Sequence, residues 1–525
     1  MSSQSRLLVL PLVLVLMTSL CHAEAISGSV KGADGAAFQG AFVEAQNIAT
    51  KIRVLVLSDE QGRYRIEKLP AGEYRMQVRA VGFRAEPRSG VKLASGKTAS
   101  QDFSLQKGTV RWSDISMWQA KQLWPSGKGQ EIMLARCATC HLFQSRMAAV
   151  TRDEEGYKDR IQYMKTVMGV NISDQDAPVL ASYLASLFGP DSVLPKLPTE
   201  MPQFKETVRP FSNDAMNIVY VEYDLPGPSR MPFSAAPDGK GFVWIPNYGA
   251  VNKVTRLDPK TGEMKDFTVP NVGTANIHSA VPTPDGSLVW MAETIPNKLG
   301  RLDTKTQTVT EFVDGSAETG SKHTARVDIY GNVWASGEPL TKFDPKTGKF
   351  THFPEVKFCY DVKPDKNGDV WFTNPSENKI GRVDGKTLKV TQWSPPTRDA
   401  FPRRMEIAAD GMVWFGEFRA GKMARFDPAT ETFKEYPLPG KEATPYAMGF
   451  DADGYLWYNS HFMDVVGRFD TKTGDVIEYP FPHAELAMRE FFRDSDGRMW
   501  YGTNPNNRVG YFYLANKRGA ESARK

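Results

Sequence analysis

Two thiols and an imidazole stand at fixed spacing in Cys137-Ala138-Thr139-Cys140-His141. A C-x-x-C-H run can join both thiols to the vinyl groups of a haem, and the adjacent imidazole then supplies an axial nitrogen to the iron. The same cysteines could form a redox dithiol or half of a zinc site. Zinc would need two more Cys or His nearby, and residues 109–190 offer none beyond the motif. A thioredoxin-type dithiol belongs in a βαβ setting, whereas the flanks here are helical. One covalent haem c is therefore expected, with Cys137, Cys140 and His141 as its attachment and ligand residues.

The elements that must position this motif are legible. Gly129–Cys137, Asp153–Met168 and Asp174–Phe188 carry helical periodicity. Ser173 with Asp176 makes a capping pair, and Gly189-Pro190 is a stop signal. Residues 109–190 thus read as a small all-α unit, followed by a Pro-spaced linker, 191–216. The first 25 residues read as a signal peptide. Arg6 precedes a largely apolar stretch of 14 residues, Leu7–Leu20, too short to span a bilayer, and Ala23 and Ala25 offer cleavage sites. No second apolar run of spanning length follows, so a periplasmic or secreted protein without a transmembrane segment is expected. That compartment suits haem c, which is attached outside the cytoplasm.

The whole chain has 525 residues, 41% hydrophobic and 24% charged, which implies several folded domains and excludes a mostly disordered chain. Lys plus Arg is 65 against 61 for Asp plus Glu, a net charge of +4 that argues against nucleic acid as a partner. Four cysteines exclude a disulfide scaffold. Residues 26–107 alternate apolar and polar in short runs separated by Gly35, Gly62, Gly72 and Gly82, as in a β-sandwich.

Residues 217–514 are a repeat array. Trp244, Trp290, Trp334, Trp371, Trp414, Trp457 and Trp500 recur at spacings of 46, 44, 37, 43, 43 and 43. Around each lies a Gly turn, an apolar-Trp strand, an apolar-Arg-apolar-Asp strand and an outer strand. Four strands per repeat of this length make a propeller blade, so seven blades are predicted. The last repeat ends at Val509–Leu514 without its outer strand, and NIVYVEYDLPG (217–227) matches the missing one. It is expected to close the ring and cover the open edge.

The innermost strand of each blade lines the channel. Counting back 11 residues from each Trp, or 12 in the second blade, reaches Phe233, His278, His323, Tyr360, Arg403, Tyr446 and Arg489. Core filling would favour Val, Ile and Ala there. Glu293 and Glu417 lie three residues after their Trp, and Glu338 and His461 four after, where the next strand returns to the same face. Convergent ionisable groups in a concavity are a candidate site, and the Arg pair points to an anionic ligand, a small molecule or an acidic loop. The two His are expected to add charge below about pH 6.5. A polar, water-filled channel without chemistry is the alternative. Cys359 falls on an inner strand as a buried small residue.

Three family resemblances accompany these readings. SDEQGRYRIEKLPAGEYRMQVRAVGF, with GSVKGADGAAFQGAFVEAQN, resembles the carboxypeptidase regulatory-like domain and implies a seven-stranded sandwich without catalysis. GKGQEIMLARCATCH and DAPVLASYLASLFG resemble the two crossing helices of a class I monohaem cytochrome c. That family's usual sixth ligand is Met. Met147 is only six residues from His141, and YKDRIQYMKTVMG places Met164 at the ligand position with Met168 second. The repeats, as in DGMVWFGEFRAGKMARFDPATETFKEYPLPG, resemble the streptogramin (virginiamycin B) lyase propeller. This resemblance implies His and Glu on the channel face acting with Mg2+ to open a lactone ester by elimination. His278 with Glu293, and His323 with Glu338, are spaced for such use.

A mainly β, multidomain protein is expected: sandwich, small all-α cytochrome c domain and seven-bladed propeller. Its leading function is electron transfer between a substrate or partner on the propeller and a periplasmic redox protein. A lyase with an accessory haem and a binding scaffold are the alternatives. Elimination needs no electron acceptor, which favours the redox reading.

Overall fold

The computed structural model describes residues 24–138, 141–167, 169–271, 273–316, 319–440 and 442–515. Of the signal peptide expected at residues 1–25, residues 1–23 lie outside them, as do Cys140 and Met168, while Ala25 belongs to the first strand. Among the described residues no helix is long and apolar enough to cross a membrane.

The N-terminal residues form a β-sandwich. Ala25–Lys31 pairs with Arg63–Glu67, and the facing layer contains Phe42–Asn47, Arg53–Leu57, Gly72–Arg79 and Arg88–Leu93. Strand alternation turns Tyr74, Met76 and Val78 inward against Ile26, Val30 and Val43. Ala25 is fully buried and pairs with Glu67. A mature chain starting at Glu24 keeps that pair, whereas one starting at Ile26 loses it.

Six four-stranded sheets and one composite sheet make the propeller. In five blades the repeated Trp donates its indole N–H to an Asp six residues earlier, as in Trp244 to Asp238 at 2.9 Å and Trp500 to Asp494 at 2.7 Å. The ring therefore ties the tight turn to the second strand. Ile218–Asp224 pairs antiparallel with Arg508–Leu514 and supplies the outer strand of the last blade.

The free edge of that strand is also covered. Val219 pairs with Val56 of the sandwich, so one eight-stranded sheet runs from the last blade into the sandwich. Arg53 bonds Glu44 of the sandwich and Asp224 of the closing strand, and Arg508 reaches the same Asp224 at 2.7 Å. The sandwich is thus a built-in edge cover.

Between the two β units, the chain forms α1 (Met117–Leu123), α2 (Lys128–Ile132), α3 (Glu154–Thr166) and α4 (Asp176–Phe188). A wider turn, Met133–Cys137, extends α2 to the first cysteine of the motif. Ser116 and Gln119 form the capping box of α1, a helix the periodicity did not reveal. The Asp176 N–H donates to Ser173 Oγ at 3.0 Å, as the sequence suggested. α2 and α4 cross at Gly129, where a Cβ would lie 2.4 Å from that of Tyr183, so only glycine permits the approach. Residues 191–216 run as short 3-10 turns over the propeller, pinned by Arg209 to Glu478.

Candidate functional site

The seven residues reached by counting back from Trp form one closed ring. Aromatic centroids lie 4.7 Å apart for Phe233 and His278, 3.6 Å for His278 and His323, and 4.5 Å for His323 and Tyr360. Arg403 lies 4.5 Å over Tyr360 and 4.1 Å over Tyr446, and Arg489 lies 4.9 Å over Tyr446 and 5.4 Å over Phe233. The hydroxyls of Tyr360 and Tyr446 meet across it. Four members sit at irregularities in the pairing of their inner strands: His278 between Ile277 and Ser279, His323 within Lys322–Ala325, Arg403 within Pro402–Met405, Tyr446 within Pro445–Met448. A bulge re-aims a side chain, and here it turns each one onto the channel mouth.

The two histidines differ from expectation. Burial, then the positive charge of Arg404 and Arg489, holds His278 well below the ordinary imidazole range, and burial, then His278, does the same for His323. They stay neutral at pH values where a free imidazole would be charged, so the ring's positive charge comes from arginine.

The carboxylates go elsewhere. Glu293 is fully buried inside its blade, where Gly300 leaves room for it: a Cβ at Gly300 would lie 2.6 Å from Glu293 Oε1. It faces Glu311, which Lys298 holds at 3.2 Å. Burial, then Glu311, pushes Glu293 up to about 8, and burial, then Glu435, does the same for Glu417. Glu338 is exposed on the loop after Val333–Gly337. The pairs His278–Glu293 and His323–Glu338 therefore do not form. Strand alternation sends the side chain three after Trp across the face of its own blade, over Gly300 in the case of Glu293, and not onto the mouth. Among the described residues no three His, Cys, Asp or Glu side chains gather as a metal site.

Below the ring lies a charged layer that the sequence reading missed. Arg404 binds Asp361 at 2.9 Å and Glu490 at 3.0 Å, and donates to Thr324 Oγ1 at 3.1 Å. Arg326 also pairs with Glu490. Thr324, Asp361, Arg404 and Glu490 each follow a ring residue by one position, so the same count would have found them. Cys359 is fully buried, as expected.

The helical unit covers the mouth. Tyr360, Tyr446, Phe418 and Phe462 share one apolar cluster with Met133, Ala138, Leu142 and Phe143. The Trp118 N–H donates to the Phe462 carbonyl at 2.7 Å, and the Ser145 N–H to Glu485 at 2.9 Å. His461 is fully buried beside the Ala138 carbonyl, within the C-x-x-C-H segment, and neither of its nitrogens has a hydrogen bond of ordinary geometry.

The described motif residues suit a haem. His141 Nδ1 lies 2.9 Å from the Leu142 carbonyl, so it carries the proton and leaves Nε2 as the ligating atom. Burial pushes this imidazole down to about 4, which keeps it neutral. Cys137 is half-buried and packs on the apolar cluster. Met164 is half-buried on α3, and its carbonyl accepts the Val170 N–H.

Comparison with known proteins agrees with the β units. The carboxypeptidase regulatory-like domain matches residues 25–106, and the virginiamycin B lyase family matches residues 345–518. A streptogramin B lyase structure superposes with a TM-score of 0.53 at 24% identity, covering 58% of this chain and 100% of the other. A virginiamycin B lyase from Staphylococcus aureus gives 0.51 at 21% identity, covering 56% and 98%. A catalytically inactive variant of that organism's enzyme, with quinupristin, gives 0.50 at 21%, covering 56% and 99%. At these identities the likeness is one of fold. Among curated proteins no match is found.

Proposed function

We propose that this chain is an extracytoplasmic c-type cytochrome whose haem-bearing helical unit is seated on the mouth of a lyase-like propeller. In this reading it carries electrons between a donor held by the propeller and a periplasmic redox protein. One observation supports it above the rest: the turn bearing Cys137 packs on the ring, with Ala138 against His461. The close crossing of α2 and α4 at Gly129 adds support.

Cys137 and Cys140 would hold the haem, His141 would ligate its iron and Met164 is the proposed sixth ligand. The bound haem supplies one-electron chemistry. The remaining roles belong to the chain. Arg403 and Arg489 attract an anionic donor and stay charged at any working pH. Neutral His278 and His323 leave the positive charge of the ring to the arginines. Phe418, Tyr446 and Phe462 exclude water between ring and helices. Purified protein should show the redox-sensitive absorbance of haem c, and anionic organic donors should reduce it. A protein without haem absorbance after expression with haem-attachment machinery overturns the reading.

The lyase reading has support from the fold alone. Its two His–Glu pairs are not assembled: Glu293 is buried in its blade against Glu311, and Glu338 is exposed on a loop. Assay of streptogramin B ring opening with added Mg2+ tests it directly.

A further inference from the structure

The seam between the helical unit and the propeller carries two acids. Asp464 ends the turn between Leu456–Ser460 and Val465–Phe469, and Glu485 lies on the chain that leads from Val476–Pro480 to Arg489 of the ring. Their hydrogen-bond partners are neutral. Asp464 accepts the N–H of Leu486 at 2.8 Å, that of Glu485 at 3.2 Å and the side-chain amide of Gln144, from the helical unit, at 3.5 Å. Glu485 is 3% exposed and accepts the Ser145 N–H, again from the helical unit, at 2.9 Å. Its other carboxyl oxygen is buried and has no hydrogen bond among the described residues.

The loop is held in an uncommon shape. Asp464, Glu485 and Ala487 have φ of +50°, +63° and +38°. Residues with a Cβ rarely adopt this left-handed backbone, and it persists where surrounding contacts fix it. Here those contacts are the bonds of the two acids, so the same carboxyls shape the loop and hold Gln144 and Ser145.

A buried acid without a cation beside it favours the protonated form. The charged groups facing the pair are each other and Arg146, which acts on Glu485 from the helical unit. Burial, with the charge of Glu485 adding to it, pushes Asp464 up to about 7 from 3.8, against the pull of the Leu486 and Glu485 N–H groups. Burial raises Glu485 as well. His461, three positions before Asp464, is kept neutral by burial, then by Arg489 and Arg403. Below pH 3.8 Asp464 holds its proton whether the helical unit is seated or lifted. Between 3.8 and about 7 only the seated form holds it, so seating weakens as pH rises, and above that window the penalty is constant.

We propose that Asp464 and Glu485 form an acid-closed latch: protonated, they hold the helical unit on the mouth, and ionised, they repel one another and let it lift from the ring. The Trp118 N–H bond to Phe462 and the shared apolar cluster do not titrate and keep the unit tethered. A lifted unit admits a ligand to Arg403 and Arg489. The latch concerns the cover alone and does not depend on the haem.

Hydrogen exchange of the full chain, read by mass spectrometry, follows the seam through the peptides holding Trp118 and Ser145, whose N–H groups bond across it. Rates are divided by the intrinsic rate at each pH. Protection of both peptides should fall about tenfold between roughly pH 5 and pH 7.5, inside the limit of about tenfold per pH unit for one proton. The closing strand Ile218–Asp224 should keep its protection. In Asp464→Asn with Glu485→Gln the seam peptides should change by less than about twofold over the same range. Asp464→Asn alone, with a shallower fall than the parent, serves if the double variant does not fold. Equal protection at both pH values in the parent, the parental fall in the variants, or a parallel loss in the closing strand overturns the proposal.

Discussion

The backbone N–H of Trp118 donates to the carbonyl of Phe462 at 2.7 Å, which ties α1 to the loop that carries His461. The helical unit is therefore hydrogen-bonded to the propeller beside the ring. The blades, however, close through their own strands, with Ile218–Asp224 on Arg508–Leu514. Cys137→Ala with Cys140→Ala should abolish covalent haem and leave the propeller folded. Haem staining after denaturing electrophoresis and near-UV circular dichroism check the two halves. A stained band in the double variant contradicts the attachment.

The sixth ligand separates two methionines. Met164→Ala should change the reduced spectrum, remove the thioether-to-iron band near roughly 695 nm and lower the reduction potential. Met168→Ala should do so less. Loss of that band in Met168→Ala alone would reverse the assignment.

The Trp repeat made the blades readable because in five of the seven blades the tryptophan has the same structural task, anchoring a turn to its strand. An offset of 11 residues from it, or 12 in the second blade, then placed all seven ring residues. The offset carries no information about side-chain direction on the next strand, and there the reading of Glu293 failed. Alternation and the notch at Gly300 send that carboxyl into the blade. Charge also misled: His278 and His323 are written like titrating groups, but burial among arginines keeps them neutral. The seating of the helices on the mouth was invisible, since Phe418, Phe462 and His461 gain that role only from a contact some 320 residues distant, such as Gln144 with Asp464.

Arg404 is the test of the buried layer. It is the shared partner of Asp361 and Glu490, all three nearly inaccessible. Arg404→Met keeps the volume but leaves Asp361 without its guanidinium and Glu490 with Arg326 alone. Breaking one partner of a buried ion network typically costs about 3–5 kcal/mol. Chemical denaturation should show a loss of that order. A loss within about 0.5 kcal/mol, as for an ordinary surface substitution, would mean that the layer is solvated.

The acid pairs inside the blades set a pH dependence. Burial, then Glu435, pushes Glu417 up to about 8 from 4.5, with Lys422 and Thr397 as the other facing groups. Below pH 4.5 the folded and unfolded chains both hold the proton, and Glu417 has no effect. Between 4.5 and about 8 the unfolded chain has released it and the native state has not, so stability falls as pH rises. Above that window the penalty is constant. Glu417→Gln keeps a neutral donor towards Glu435 and removes the titration. The variant should therefore match the parent near pH 4 and exceed it at pH 9, by on the order of 2 kcal/mol after allowance for the coupled pair. Paired melting scans across this range give the answer. A variant less stable than the parent at pH 9 would show that Glu417 is ionised in the folded blade and held there by Lys422.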